Sequence, residues 1–334
     1  MIKAIFLCNQ KSNIDRVYGG GRKETVAELT DLCPEVIHQD MLTDPGHDFT
    51  QVEVVFSTWG MPTLTEEQLA TCLPGLKAVF YAAGSVRKFA APFLNRGITV
   101  SSAWQANAIP VAEYTTAQIV LANKFFFRNA ALCSHSVTGR RSAVRDMPGN
   151  FGETVTLLGA GAIGRKVVEL LQPFNLNILV WDPFLSAESA AALGVEKVDT
   201  LTEGFRRGLV VSNHLANVPE TVGLLTREQF SSMRPNATFI NTGRGATVNE
   251  ADLAAVFESR PDLTALLDVT HPEPPEENSP LYALPNVILT SHIAGSIGDE
   301  VIRMADFAIS DFKAWRKGQT PRYNVTPELL QTMA

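Results

Sequence analysis

The chain has 334 residues, 45% of them hydrophobic and 19% charged, enough apolar material for two cores and without the bias of a disordered chain. Its 28 basic and 35 acidic residues leave a formal net charge of −7, which argues against a nucleic-acid-binding surface while leaving room for a local basic pocket. Cys8, Cys33, Cys72 and Cys133 stand far apart with no CxxC pair, so neither a zinc site nor a disulfide framework is expected, and reduced thiols in the cytoplasm are.

At the N-terminus the apolar run Ala4 to Cys8 is too short for a signal-peptide core and reads as a buried strand. No later apolar stretch approaches the length of a membrane span. Ile2 to Leu7, Val52 to Ser57, Leu76 to Tyr81 and Ile98 to Ser101 are expected as buried strands. Arg22 to Leu32, Thr65 to Thr71 and Ala90 to Asn95 are the intervening helices, an alternation that implies a parallel sheet covered on both faces. Asp15 to Arg22 holds three successive glycines but no following Gly-Lys-Ser/Thr, so it is not a P-loop; a surface loop and a substrate lid both remain open. Asn107 to Asn123 is spaced for a long helix.

A second alternation begins at Glu153: TVTLLG as strand, AIGRKVVELLQPF as helix, NILVWD as strand. LVVSNHL, ATFINT, LTALLDV and NVILTSH follow as further parallel strands. Between the first strand and its helix lies Gly159-Ala160-Gly161-Ala162-Ile163-Gly164. The first glycine permits a tight turn, the second admits a pyrophosphate, and the third lets helix and strand pack closely. Taken alone GxGxxG often marks only a turn. Here Asp182 ends the next strand, where a carboxylate accepts hydrogen bonds from both adenosine ribose hydroxyls of NAD and repels the 2′-phosphate of NADP. NAD is therefore the expected cofactor.

Arg244, Glu273 and His292 each follow one of the later strands, where a parallel sheet presents side chains to a ligand. Singly they read as a surface arginine, a solvated loop acid and a strand-end histidine. Together they supply the parts for hydride transfer to a 2-oxo acid. A guanidinium holds a carboxylate and polarises the adjacent carbonyl, a histidine carries the proton, and a carboxylate beside it stabilises the imidazolium. No metal-ligand spacing is visible.

The segments TVTLLGAGAIGR, NHLANVPETVGLL, FINTGRGATVNEADL, LLDVTHPEPPEENSPLYALPNVILTSHIAG, PRYNV and NAIPVAEYT resemble the D-isomer-specific 2-hydroxyacid dehydrogenase family over about residues 100 to 325. The resemblance implies catalytic roles for Arg244, Glu273 and His292. It also implies that Asp268 holds the nicotinamide carboxamide, and that His214 and Thr242 join Gly159 to Gly164 and Asp182 in the cofactor site. The substrate implied is a small 2-hydroxy or 2-oxo acid of D configuration, with glyoxylate, hydroxypyruvate, phosphoglycerate, lactate and sugar-derived acids undistinguished.

The α/β architecture implied is two doubly wound parallel-sheet domains. A Rossmann NAD-binding domain (104–295) is inserted into a discontinuous flavodoxin-like substrate domain (1–103 and 296–334), with hinges near 101–108 and 293–297 and the active site in the cleft. Homodimers joined through the cofactor domains are usual in the family, and the stretch from Lys124 to Arg145 is the candidate arm. The family's G-x-G-x-D turn after the fourth strand is replaced by Ala82-Ala83-Gly84-Ser85-Val86-Arg87, shorter and without aspartate. Gly84, Ser85 and Val86 are expected still to offer backbone amides to the substrate. The family's proline two positions after His214 is Ala216 here. Two rivals remain: an NAD(H)-sensing binding protein similar to the C-terminal binding protein corepressors, and a formate dehydrogenase, which needs no Glu–His pair.

Overall fold

The computed structural model describes residues 1–133 and 149–333, and the chain divides into two compact units, residues 1–107 with 296–334 and residues 108–295.

The first unit alternates β1 (Lys3–Leu7), α1 (Lys11–Val17), α2 (Arg22–Leu29), β2 (Asp31–Ile37), β3 (Val54–Ser57), α3 (Glu66–Cys72), β4 (Ala78–Tyr81), α4 (Ala90–Asn95) and β5 (Thr99–Ser102). Helix α5 (Trp104–Asn123) begins in this unit. All five strands are parallel, in the order β2-β1-β3-β4-β5. That is the flavodoxin-like order, and β3 and β4 are buried at every residue, as a sheet with both faces covered requires.

Two expectations change here. The helix expected over Arg22 to Leu32 stops at Leu29, and β2 follows, an edge strand whose Pro34 hid it and whose register shifts between Ala4 and Phe6 of β1. The glycine run of Asp15 to Arg22 is a fixed turn rather than a free loop, with Gly20 and Gly21 exposed. The segment takes in the end of α1 and this turn, with Tyr18 fully buried and Arg22 donating to both carboxylate oxygens of Asp306 at 2.7 Å.

The second unit takes the rest of α5, then α6 (Phe126–Cys133), β6 (Glu153–Leu158), α7 (Ala162–Leu171), β7 (Leu176–Trp181), α8 (Ala187–Leu193), β8 (Glu196–Lys197) and α9 (Leu201–Arg207). It continues with β9 (Val210–Asn213), α10 (Arg227–Ser231), β10 (Thr238–Asn241), α11 (Glu250–Ser259), β11 (Thr264–Leu267) and β12 (Val287–Leu289). Its seven-stranded parallel sheet runs β12-β11-β10-β9-β6-β7-β8. The order reverses between β6 and β9, which creates a crevice beyond their carboxyl ends where ligands of such sheets bind. Leu158 pairs with Asn213 across that point, so Gly159 and His214 emerge side by side.

The chain then re-enters the first unit through α12 (Ile302–Arg316) and α13 (Pro327–Thr332). Phe312 of α12 packs its ring 5.2 Å from Phe56 and 5.5 Å from Phe80 in the core, arranged edge to face. Asp311, 2% exposed, accepts hydrogen bonds from Ser101 Oγ and from the Arg322 and Tyr323 amides, and so lays residues 321–325 along β5. Among the described residues no helix is long and apolar enough to cross a membrane. The expected arm from Lys124 to Arg145 lies outside the described residues beyond Cys133; in its described part Phe125 is buried, while α6 has no buried residue.

Candidate active site

The glycine loop between β6 and α7 has the geometry of an anion cradle. Gly159 takes φ +98°, where a Cβ would stand 3.0 Å from the His214 carbonyl oxygen. At Gly164 a Cβ would sit 2.1 Å from the Gly159 carbonyl oxygen, so only glycine lets α7 start this close to β6. Gly161 is different: its Cβ would meet nothing within 4 Å, and it would fill open space above the loop. The N–H groups of Gly161, Ala162 and Ile163 have no acceptor among the described residues, and α7 has no side-chain cap. Unpaired donors at a helix start, facing open space, suit a pyrophosphate.

Asp182 braces this loop. One carboxylate oxygen accepts from the Ala160 amide at 2.6 Å and the other from Phe184 at 2.8 Å. Each retains a lone pair for a ribose hydroxyl. His214 is 8% exposed; Nε2 lies 3.0 Å from Ser212 Oγ and Nδ1 has no partner, while burial pushes its pKa down to about 4. It therefore enters the crevice as a neutral ring. Thr242 is buried with its hydroxyl 2.9 Å from that of Thr115 on α5.

Arg244, Glu273 and His292 all lie in the second unit, in loops after β10, β11 and β12. His292 Nδ1 is 2.6 Å from Glu273 Oε1, and both side chains are nearly half exposed. Nε2 of His292 has no partner among the described residues. Arg244 donates one hydrogen bond, to the Gly243 carbonyl at 2.8 Å, and its other N–H groups find no acceptor among the described residues. Burial lowers its pKa from the ordinary arginine value while the charge of Glu273 opposes the shift, so the guanidinium stays charged.

Asp268 does more structural work than the sequence suggested. It is 2% exposed; Oδ1 accepts from Thr290 Oγ1 at 2.6 Å and Ile293 N at 2.8 Å, and Oδ2 from Ala294 N at 2.9 Å. Its carbonyl takes the His292 amide at 3.0 Å. These four bonds hold His292 at φ +59°, a left-handed conformation that costs about 1–2 kcal/mol for a non-glycine residue. The loop is fastened where the His292 side chain projects.

Gly84, Ser85 and Val86 belong to the first unit, after β4. Their three backbone N–H groups have no acceptor among the described residues. Sequence reading passed over Asn107, in the first turn of α5. Its Oδ1 accepts from the Ser296 amide at 3.0 Å, and its Nδ2 would lie 3.8 Å from a Cβ at Gly84. The partner that orients it is 189 residues away in the chain, so only its place at a helix start could have marked it. Among the described residues no cluster of metal-ligating side chains occurs.

The family model for the D-isomer specific 2-hydroxyacid dehydrogenase, NAD binding domain, matches residues 121–294, just over half of the chain. D-3-phosphoglycerate dehydrogenase of Methanocaldococcus jannaschii is 34% identical over 203 residues, which is 60% of this chain but 38% of that protein. The counterpart from Archaeoglobus fulgidus is 31% identical over 67% of this chain and 42% of its own length. This chain thus spans less than half the length of these relatives that it matches.

Among solved structures, a phosphoglycerate oxidoreductase from Rhizobium etli superposes with a TM-score of 0.80 at 21% identity, over 98% of this chain and 99% of the other. Apo D-mandelate dehydrogenase of Rhodotorula graminis gives 0.78 at 18% identity, over 97% and 98%. The chain belongs to the D-isomer specific 2-hydroxyacid dehydrogenase family, with the family's NAD binding domain over residues 121–294.

Proposed function

We propose that this protein is an NAD-dependent oxidoreductase that interconverts a small D-2-hydroxy acid and the corresponding 2-oxo acid. The observation that carries the reading is the 2.6 Å pair of His292 Nδ1 and Glu273, with Nε2 left free, in the unit that also holds Arg244 and the glycine loop. Bound NAD(H) supplies or accepts the hydride. Gly161, Ala162 and Ile163 would hold its pyrophosphate through their amides, and Asp182 its adenosine ribose.

In the reducing direction Arg244 holds the substrate carboxylate and polarises the C2 carbonyl, and His292 donates the proton from Nε2 to the carbonyl oxygen. In oxidation neutral His292 takes the hydroxyl proton at Nε2, and the Glu273 carboxylate on Nδ1 stabilises the imidazolium that forms. In the first unit the free amides of Gly84, Ser85 and Val86, with the Asn107 amide beside them, are assigned to a substrate anion. The test is turnover of NADH with a panel of glyoxylate, hydroxypyruvate, phosphohydroxypyruvate and pyruvate. Reduction of at least one is expected; NADH binding with none reduced overturns the assignment.

Cofactor choice is a separate expectation. With Asp182 on the ribose, NADH is preferred over NADPH by more than about tenfold in kcat/KM, or about 1.4 kcal/mol. Asp182→Ser narrows that gap by removing both repulsion and hydrogen bonds. Equal use of the two cofactors by the unaltered protein contradicts the role.

The same reading includes a homodimer in the cytoplasm. Phe126 and Leu132 on α6 are 50% and 52% exposed and Phe151 is 82% exposed, apolar side chains of the kind that a second copy would cover. Sedimentation is expected to give twice the 36.3 kDa chain mass, and a monomer at micromolar concentration refutes it. The four free cysteines suit a reducing compartment, which cell fractionation checks.

A further inference from the structure

The loop that carries Glu273 has little to hold it. Between β11 and Pro280 the chain forms no helix or strand, and residues 271–274 are all exposed. Such a segment opens easily unless it is fastened elsewhere. Among the described residues two contacts fasten the part that precedes Glu273, and both come from the segment that carries Arg244; beyond it Tyr282 Oη donates to the Pro275 carbonyl at 3.4 Å. The first is backbone on backbone: a Cβ at Gly245 would lie 2.0 Å from the Thr270 carbonyl carbon, so no side chain fits between the loops. In the second, Glu250, the first residue of α11, accepts the His271 amide on Oε1 at 2.7 Å. Within the loop Thr270 Oγ1 donates to the Pro272 carbonyl at 2.9 Å, and Glu273 then meets His292.

We propose that Glu250 is a positioning residue for the acid–base pair: by holding the His271 amide it fixes the loop two residues before Glu273 and sets that carboxylate against His292. The proposal rests on the catalytic reading of Arg244, Glu273 and His292. Because Arg244 and Glu250 lie on one short segment, the same bond also fixes the Glu273 loop relative to the arginine. A bland alternative is that Glu250 simply complements the α11 dipole, as acids in a first turn do. That role needs only charge, and α11 already has Asn249 capping the Asp252 amide at 3.1 Å and Asp252 itself in its first turn. Burial moreover raises the Glu250 carboxyl above its ordinary range, with the His271 amide opposing. A site that disfavours the charge is poorly suited to a dipole role, whereas it suits an acceptor of fixed reach.

Reach and charge separate by substitution. Glu250→Gln keeps a carbonyl oxygen at the same reach; Glu250→Asp keeps the charge but is one methylene short; Glu250→Ala keeps neither. Single-turnover reduction of an accepted 2-oxo acid is expected to slow about tenfold in Glu250→Ala and Glu250→Asp, and to stay within about twofold in Glu250→Gln. NADH affinity and the thermal midpoint are expected to hold in all three. In a Glu273→Gln background Glu250→Ala should change the rate less than about twofold, because the two residues act in series. An equal loss in both backgrounds, or Glu250→Gln as slow as Glu250→Ala, overturns the proposal.

Amide hydrogen exchange over residues 270–273 gives a readout independent of turnover. It should accelerate in Glu250→Ala and Glu250→Asp but not in Glu250→Gln, and unchanged exchange in all three refutes the clamp. Should the unaltered protein reduce no 2-oxo acid, the catalytic reading fails on its own, while the exchange result still decides whether Glu250 holds the loop.

Discussion

His292→Asn lowers the rate of 2-oxo acid reduction by about a thousandfold while leaving NADH affinity nearly unchanged. Asparagine is the informative replacement because it tolerates the left-handed backbone at this position, where φ is +59°, better than alanine does. The four bonds from Asp268 to residues 290–294 therefore survive, and the loss reports the missing proton carrier rather than a collapsed loop. Glu273→Gln retains shape but not charge, and a smaller loss of about ten- to a hundredfold is expected, since a charge-assisted hydrogen bond is replaced by a neutral one. Single-turnover mixing of enzyme and NADH with substrate is the measurement, because product release can mask the proton step in steady state. Near-native rates in His292→Asn would assign the proton to another group.

Arg244→Ala costs about a hundredfold in kcat/KM, or about 2.7 kcal/mol, the scale expected for losing a charged donor pair at a reacting carboxylate and carbonyl. Because the native guanidinium spends only one hydrogen bond on the described residues, at Gly243, its removal leaves few internal partners stranded. Fold stability should consequently change little, and the loss should appear in affinity for oxamate or oxalate, with NADH binding intact. Arg244→Lys rescues little, since an ammonium offers no planar pair of donors. Full activity in Arg244→Ala makes the loop structural and moves carboxylate binding elsewhere.

How much of this was legible in the sequence depended on how local each cause is. GAGAIG and Asp182 announce themselves because a tight turn, a helix start and a strand-end acid lie within a short stretch of chain, and Gly159 and Gly164 then prove to be sterically required. The parallel strands were readable where both faces are buried, as in β3 and β4, because continuous apolar runs result. Strand β2 escaped, since an edge strand with Pro34 and exposed Glu35 has neither an apolar run nor clean alternation.

The remaining misses share another cause. Arg22 acts on Asp306, Asn107 on Ser296 and Glu250 on His271, pairs separated by 284, 189 and 21 residues. No local pattern marks a polar side chain whose partner is set by the fold. Thus Asp268, placed at the cofactor from resemblance, also turns out to anchor the loop that carries His292.

The most direct test of the central claim follows a labelled hydride. With NADH deuterated at the transferring position and a 2-oxo acid from the panel, the product is expected to be the D-2-hydroxy acid carrying deuterium at C2, formed with a primary isotope effect in a single turnover. NADH bound one per chain with no deuterium delivered to any 2-oxo acid, or delivery to give the L enantiomer, would contradict the account. The first of those results would mark the protein as a dinucleotide-sensing binder.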